Sequence, residues 1–219
     1  MPRLADLVAE AHRLRLLVGL EEELRVAGFH RIAGVDEVGR GCLAGPVVAA
    51  AVIPRPGTVV PGVDDSKAVP AERRARLAAE IRRSSLATAV VAVAAEWIDR
   101  LNILQATRRA MRQALARLRP QPDLALVDAV PLEGLGFPCL SPVRGDVLSY
   151  AVACASILAK VERDGMMEQL DRDYPYYGFA SHKGYAAPEH LRALESFGPS
   201  PVHRLTFRSV VPHLATGRV

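Results

Sequence analysis

The stretch IAGVDEVGRG at residues 32–41 decides the fold of this chain. Its apolar start is typical of a β-strand that ends at two adjacent carboxylates, Asp36 and Glu37. The turn Gly39-Arg40-Gly41 follows, and residues 43–53 are then a nearly continuous run of Val, Ala and Ile, as in a central strand buried on both faces. Because the turn is short, we predict that the two strands form an antiparallel hairpin.

The same stretch indicates a functional site. Carboxylate oxygens suit a hard divalent cation, and a glycine-rich turn lets backbone N–H groups approach a ligand beside the Arg40 guanidinium. A metal site next to a sugar or phosphate site is the layout expected of a nuclease. Since adjacent strand residues point to opposite faces, Asp36 and Glu37 can both reach one site only if the strand bends or ends there, or if Glu37 contributes its carbonyl.

Hydrophobic periodicity and turn residues outline the rest of the chain. Helices are predicted over about 3–27, 70–83, 96–118, 146–171 and 188–197, and strands over 30–36, 43–53, 86–95, 124–128 and 137–141. A hairpin followed by alternating strands and helices favours a mixed sheet with helices on its faces. No linker divides the chain, so we expect one domain over 1–219, with an N-terminal helix in 1–28 and a C-terminal extension from about 173.

Two further acids stand at the ends of predicted elements. Asp128 closes the apolar run LALVD, and Asp146 opens the long helix. An acid after an apolar run is costly unless it is exposed, paired or bound to a metal. Each also has a structural explanation, since Asp128 suits a turn and Asp146 suits a helix N-cap. The sequence alone leaves open whether these acids converge with Asp36 and Glu37 on one metal site.

The net charge and the cysteine content limit which classes of protein this chain can belong to. The net charge of +4 and the pI of about 9.2 are mild and do not by themselves indicate nucleic acid. Residues 101–122 hold five arginines and no acid, which is equally consistent with a solvated helix face and with a surface for an anionic partner. Cys42, Cys139 and Cys154 lie far apart, as free thiols in a reducing cytosol do. No signal peptide or membrane span is visible, so a cytoplasmic protein is expected.

An ordered set of motifs gives a more specific result. They are DEVGRG at 36–41, AGP at 44–46, DSK at 65–67, Asp128 after a strand, GD at 145–146, ASILAKVERD at 155–164, HKGY at 182–185 and GPSPVHRLTF at 198–207. With these motifs the chain resembles the type 2 ribonucleases H, and within them most closely the bacterial ribonuclease HII family. The resemblance covers nearly the whole chain.

The resemblance implies an α/β protein with a ribonuclease H-like fold, a mixed five-stranded sheet flanked by helices and a C-terminal helical extension. It also implies an active site of four acids, which map to Asp36, Glu37, Asp128 and Asp146. In such a site two Mg²⁺ or Mn²⁺ ions activate a water and stabilise the leaving oxygen of the cleaved phosphodiester. Asp36 is the candidate for bridging both ions.

The family also implies how RNA is distinguished from DNA. The 2′-hydroxyl is the group that differs, and in the family the turn corresponding to Gly39, Arg40 and Gly41 reads it largely through backbone groups. Tyr185 resembles the family tyrosine that contacts the same hydroxyl and packs on the next sugar, a deoxyribose. Without the family, Tyr185 would be interpreted as an amphipathic surface aromatic. Lys67 and Lys183 are candidate phosphate contacts.

Three departures from the family pattern stand out. Ala129-Val130 follows Asp128 where Gly-Asn is usual, Ala68-Val69 replaces Lys-Leu after DSK, and residues 150–153 read Tyr-Ala-Val-Ala instead of Ser-Ile-Ala-Ala. None of them removes a proposed ligand. The first bears on the backbone after Asp128, and the second removes a candidate phosphate contact.

The function expected from the resemblance is that of a metal-dependent endoribonuclease, acting as a monomer and without a membrane partner. It would cleave the RNA strand of RNA–DNA hybrids and nick duplex DNA 5′ of embedded ribonucleotides, leaving 3′-hydroxyl and 5′-phosphate ends. One alternative is a non-catalytic hybrid-binding protein, which the intact acids argue against. Another is a different metal nuclease on the same fold, which Tyr185 and the glycine-rich turn argue against. The sibling ribonuclease HIII is disfavoured because only about 28 residues precede the first strand.

Overall fold

The structure is a computed structural model, which describes residues 3–66, 69–128, 130–141, 148–210 and 212. Two of the predicted site residues, Lys67 and Asp146, lie outside these ranges, and so does Ala129.

In the described residues, two N-terminal helices precede a set of strands and helices, and three helices end the chain. The helices are α1 Leu4–Leu17, α2 Gly19–Val26, α3 Ala71–Ser84, α4 Ala95–Leu101, α5 Ile103–Arg117, α6 Tyr150–Asp173, α7 Phe179–His182 and α8 Pro188–Phe197. The strands are β1 Ile32–Val38, β2 Val47–Ile53, β3 Ala87–Val93, β4 Leu124–Val127 and β5 Cys139–Leu140.

The strands form one five-stranded sheet in the order β3-β2-β1-β4-β5. β4 runs parallel to β1, with Ile32 opposite Leu124 and Val35 opposite Val127, and β5 runs parallel to β4. β2 lies beside β1, and all seven of its residues are buried. Residues 39–46 join the two strands, so β2 begins four residues later than predicted. The predicted mixed five-stranded sheet flanked by helices is confirmed.

Two segments predicted as single helices are each divided in two. The predicted helix over 3–27 is interrupted at Val18, before Gly19, a residue that costs about 1 kcal/mol in a helix interior. The predicted helix over 96–118 is interrupted at Asn102, which has φ of 67°. The Asn102 side-chain oxygen accepts a 3.1 Å hydrogen bond from the N–H of Gln105 and so caps α5.

The long helix α6 lies unusually close to β1. A Cβ added at Gly34 would stand 2.0 Å from the carbonyl carbon of Ala151 and 2.2 Å from the nitrogen of Val152. Only glycine fits at this point, and the small residues Ala151 and Ala155 of the helix are fully buried. Close approach of α6 to the sheet is therefore built into the sequence of both elements.

The chain divides into two compact units. The first consists of Met1–Glu37, Ala49–Val91 and Met111–Val161, and the second of Val38–Val48, Ala92–Ala110 and Glu162–Val219. In the first, Ile32, Leu124, Leu126 and Val152 form a buried cluster. In the second, Ala44, Met167, Tyr177, Phe179 and Ala193 do so. The single domain over 1–219, with its C-terminal extension, stays a prediction.

None of Cys42, Cys139 and Cys154 takes part in a disulfide bond. In the part of the chain that the structure describes, no helix has both the length and the apolar character needed to cross a bilayer.

Candidate active site

Asp36 is buried near the end of β1, in the first unit. Its Oδ1 accepts a 2.8 Å hydrogen bond from the N–H of Glu37, and its carboxylate also accepts one from the hydroxyl of Ser156 on α6. The Ser156 hydroxyl is held in turn by Ser66, with 2.8 Å between the two Oγ atoms. The close approach of α6 to β1 thus brings a hydrogen-bond partner to the carboxylate.

Asp128 belongs to the same neighbourhood. It follows β4 directly, and its N–H donates a 3.1 Å hydrogen bond to the carbonyl oxygen of Val35. Because β1 and β4 are parallel and in register, their carboxyl ends meet at one edge of the sheet. The structure therefore brings together Asp36, Glu37 and Asp128 of the four predicted acids.

The electrostatics of Asp36 reflect this crowding. Burial and, after it, the negative charges of Glu37 and Asp128 together raise the pKa of the Asp36 carboxyl to about 8. The hydrogen bonds from Ser156 and from the Glu37 backbone act in the opposite direction. A buried carboxylate with two acidic neighbours is costly when ionised, and a bound cation removes that cost.

These residues fit a hard divalent cation by their chemistry, since all of them offer carboxylate oxygens. Among the residues that the structure describes, no three His, Cys, Asp or Glu side chains are already arranged as a metal-ligand set. Asp146, the fourth predicted ligand, lies outside the described residues. The complete set of four ligands stays a prediction.

The glycine-rich turn lies in the second unit and is held from inside by the buried side chain of Arg204. Its Nη2 donates a 2.6 Å hydrogen bond to the carbonyl oxygen of Gly39, and its Nη1 donates one of 2.8 Å to that of Arg40. Nε and Nη2 also donate to the carbonyl oxygen of Gly45, at 3.1 and 3.0 Å. Burial lowers the pKa of Arg204 to about 10, which leaves the guanidinium charged at neutral pH.

A second buried arginine, Arg163 of α6, acts on the same segment. It donates to the carbonyl oxygens of Pro46, Lys183 and Ala44 at 3.0, 2.9 and 3.3 Å. A Cβ at Gly39, where φ is 92°, would lie 2.1 Å from the Arg163 Nε. Gly39 is thus needed both for its positive φ and for the space that Arg163 occupies.

The structure brings Tyr185 to the segment that follows this turn. The N–H of Leu43 donates a 2.7 Å hydrogen bond to the carbonyl oxygen of Gly184, and the hydroxyl of Tyr185 is hydrogen-bonded to the thiol of Cys42. Tyr185 is 45% exposed. Partial burial raises the pKa of its hydroxyl, so the phenol stays protonated and can both donate and accept.

Lys183, a predicted phosphate contact, has its ammonium group paired with a carboxylate in this structure. Its ammonium donates a 2.8 Å hydrogen bond to Glu168 in an ion pair on the surface. Its backbone has φ of 52°, and its carbonyl oxygen accepts the bond from Arg163. The residue therefore takes part in the support of the turn through its backbone.

Sequence reasoning missed the two buried arginines and a group of three buried histidines, His182, His190 and His203. The arginines stand in the motifs ASILAKVERD and GPSPVHRLTF, where arginine is more often a solvated or substrate-facing residue. The neighbouring residues gave no signal of burial, since Arg163 stands between Glu162 and Asp164 and His182 between Ser181 and Lys183.

Comparison with known proteins agrees with this geometry. The family model of ribonuclease HII matches residues 33–210. A ribonuclease HII of Solibacter usitatus is 51% identical, over 92% of this chain and 88% of that relative. One of Geobacter metallireducens is 50% identical, over 86% of this chain and 88% of the relative. The chain belongs to the ribonuclease HII family.

Solved structures confirm the fold. The ribonuclease H2 of Pyrococcus horikoshii matches 85% of this chain and 98% of its own, with a TM-score of 0.74 and 25% identity. The ribonuclease HII of Archaeoglobus fulgidus, solved as a complex with PCNA, matches 81% and 95%, with a TM-score of 0.67 and 28% identity. As a member of this family the chain is a ribonuclease H, an endonuclease that hydrolyses phosphodiester bonds.

Proposed function

We propose that this enzyme cleaves the RNA strand of RNA–DNA hybrids and nicks duplex DNA on the 5′ side of embedded ribonucleotides. The products are 3′-hydroxyl and 5′-phosphate ends. The observation that supports hydrolysis is the buried position of Asp36 beside the charges of Glu37 and Asp128. Burial first, and these charges second, raise the pKa of Asp36 to about 8. Such a site is costly alone and well suited to divalent cations.

Asp36, Glu37, Asp128 and Asp146 are the proposed ligands for two Mg²⁺ or Mn²⁺ ions. A ribonuclease HIII of similar fold, 20% identical with a TM-score of 0.63, was solved in complex with Mn²⁺. When bound, the ions supply an activated water and stabilise the leaving oxygen. The protein's part is to hold the Asp36 carboxylate in one orientation through the Glu37 N–H and the Ser156 hydroxyl, so that it would be ready to bind a cation.

Recognition of the ribonucleotide is assigned to Gly39, Arg40, Gly41 and Tyr185. The carbonyl oxygens of Gly39 and Arg40 already accept hydrogen bonds from Arg204, so the turn is oriented before substrate binds. The N–H groups of the turn are then the proposed partners of the 2′-hydroxyl oxygen. The protonated Tyr185 hydroxyl adds a second contact to the same group, and its ring packs on the following deoxyribose.

Two lysines are proposed to contact phosphates of the substrate. Lys67 remains a candidate phosphate contact from the sequence alone. Lys183 would have to exchange Glu168 for a phosphate, which is feasible because exposed ion pairs contribute about 0–1 kcal/mol. The monomeric state and the cytoplasmic location rest on the sequence and stay predictions.

The experiment that tests this function uses three end-labelled duplexes with Mg²⁺ or Mn²⁺. One carries a single ribonucleotide, one is a continuous RNA–DNA hybrid and one is all DNA. We expect cleavage of the first two, with the single-ribonucleotide duplex cut once, on the 5′ side of the ribonucleotide. Equal cleavage of the all-DNA duplex would favour a different metal nuclease, and binding of the hybrid without cleavage would favour a hybrid-binding protein.

A further inference from the structure

Two of the three buried histidines of the second unit, His190 and His203, form a hydrogen-bonded chain that ends on Tyr185. His190 Nδ1 lies 2.7 Å from the carbonyl oxygen of Tyr185, and its Nε2 lies 3.0 Å from Nε2 of His203. Nδ1 of His203 accepts hydrogen bonds from the N–H and the hydroxyl of Ser200, at 2.9 and 2.8 Å. His182 stacks on His190, with 4.4 Å between ring centroids.

The partners fix which nitrogen carries each proton. A carbonyl oxygen can only accept, so Nδ1 of His190 must donate to Tyr185. In a neutral ring Nε2 of His190 is then an acceptor, and Nε2 of His203 must donate to it. Nδ1 of His203 is left as an acceptor, which is what the N–H of Ser200 requires. One arrangement of neutral rings therefore satisfies the whole chain from Ser200 to Tyr185.

The backbone of Tyr185 is gripped on both sides by this group. Its carbonyl oxygen accepts from His190 and from the N–H of Ala187, while its own N–H donates 3.0 Å to the carbonyl oxygen of His182. The stacked rings therefore belong to His182 and His190, the two residues that hydrogen-bond the backbone of Tyr185. Burial lowers the pKa of His190 to about 4 and of His203 to about 3, consistent with neutral rings at physiological pH.

We propose that His190, oriented by His203, is a positioning residue that fixes the backbone of Tyr185 and so sets how well the enzyme selects a ribonucleotide followed by DNA. This inference rests on the proposed function, in which Tyr185 reads that junction. Because the Tyr185 side chain is 45% exposed, a displacement of its backbone also displaces its hydroxyl, which is otherwise held by the thiol of Cys42. Displacing a substrate-contacting group by about 1 Å can cost on the order of a hundredfold in rate.

Two substitutions at His190 separate positioning from simple loss of a buried ring. In His190→Asn the amide nitrogen can replace Nδ1 and still donate to the carbonyl oxygen of Tyr185. In His190→Gln the longer amide reaches the place of Nε2, accepts from His203 and leaves the Tyr185 carbonyl oxygen without this donor. Both variants remove the ring and its stacking on His182 and introduce the same amide group, and they differ by one methylene.

The measurement is the ratio of kcat/KM on a single-ribonucleotide duplex to kcat/KM on a continuous hybrid. Because one preparation is assayed on both substrates, the ratio does not depend on the fraction of enzyme that is folded. We expect His190→Gln to lower the ratio about tenfold, mainly through kcat, and His190→Asn to stay within about twofold of the wild type. Equal ratios for both variants, whether both unchanged or both lowered, would overturn the positioning role.

A second pair covers the case in which a His190 variant does not fold. His203→Gln can keep the donor to Nε2 of His190, whereas His203→Asn keeps only the acceptor for Ser200. We expect the same order, with the ratio lowered more in His203→Asn, and the reverse order or no difference would contradict the proposal. If wild-type enzyme fails to cut the single-ribonucleotide duplex at all, the proposed function itself is wrong, which is a different outcome from unchanged ratios in the variants.

Discussion

Arg204 Nη2 lies 2.6 Å from the carbonyl oxygen of Gly39, a residue 165 positions earlier in the chain. This bond joins the motif GPSPVHRLTF to the motif DEVGRG through a fully buried guanidinium. The same side chain also holds Arg40 and Gly45 by their carbonyl oxygens. The shape of the glycine-rich turn is therefore set by a distant residue that we do not expect to touch substrate.

Replacing Arg204 with lysine should disorder the turn while keeping the charge. Lysine offers one ammonium in place of a planar fork and cannot reach all three carbonyl oxygens. We expect kcat/KM on the single-ribonucleotide duplex to fall at least tenfold and the free energy of unfolding to fall by about 2–4 kcal/mol. Urea unfolding and cleavage assays measure both. The exposed Arg208→Lys is the control, and an Arg204→Lys enzyme as active and stable as this control would refute the role.

Asp36 should make the metal-free enzyme less stable as the pH rises. Its pKa is about 8 in the folded protein and about 3.8 when unfolded, so folding favours the protonated form. The contribution to stability is complete below pH 3.8 and is lost as the pH rises through 8. Asp36→Asn should therefore stabilise the metal-free protein at pH 9, by on the order of 1–3 kcal/mol, and have a smaller effect at pH 5.

Thermal unfolding in a chelator at the two pH values measures this effect. The exposed Asp173→Asn serves as the control, because its effect should be the same at pH 5 and pH 9. Adding Mn²⁺ should raise the unfolding temperature of the wild type and change that of Asp36→Asn much less. An Asp36→Asn protein that is no more stable than the wild type at pH 9 would contradict the crowding of these carboxylates.

The side chain of Glu21 links the N-terminal helix α2 to the start of α6. It is buried in α2, and its Oε1 accepts hydrogen bonds from the hydroxyl of Ser149 and the N–H of Ala151, at 2.7 and 2.8 Å. A carboxylate at the start of α6 satisfies its free N–H groups and interacts favourably with the helix dipole. Glu21→Ala should lower the free energy of unfolding by about 1–3 kcal/mol.

Chemical denaturation of Glu21→Ala beside the exposed Glu23→Ala provides the comparison. The control should stay within about 0.5 kcal/mol of the wild type, as surface substitutions usually do. If both variants lose the same small amount, Glu21 does not cap α6.

The buried histidines should make the protein sensitive to mild acid. The pKa values of His190 and His203 are lowered, so the folded state favours their neutral forms. Their contribution is complete above the unfolded pKa of about 6.5 and is lost as the pH falls toward 3. The stability advantage of the wild type over His203→Gln should therefore shrink between pH 7 and pH 4. A constant difference across that range, measured by urea unfolding, would show that His203 titrates normally.

The sequence predicted the sheet well because its signals are local. The buried run in β2, the short turn after Asp36 and Glu37, and the apolar start of β4 each indicate a strand without reference to the rest of the chain. Helix boundaries were predicted less well. The interruptions at Val18 and Asn102 depend on single residues within stretches that otherwise have helical periodicity.

The support of the site could not be predicted from the sequence. Asp36, Glu37 and Asp128 were identified by motif, but their crowding depends on the parallel register of β1 and β4. The burial of Arg163 and Arg204 was not predicted, because a charged residue is buried only when distant carbonyl oxygens surround it. The histidine chain is likewise visible only once residues 182–203 are folded together.

The most direct test of the account is single-turnover cleavage of a duplex with one ribonucleotide by wild type and Asp36→Asn, with binding measured in parallel. Asp36 is the buried carboxylate on which the proposed metal site depends. We predict that the wild type cuts once on the 5′ side of the ribonucleotide, and that Asp36→Asn binds the duplex within about threefold of the wild type but cuts at least a hundredfold more slowly. An Asp36→Asn enzyme that keeps more than a few per cent of the wild-type rate would contradict the account.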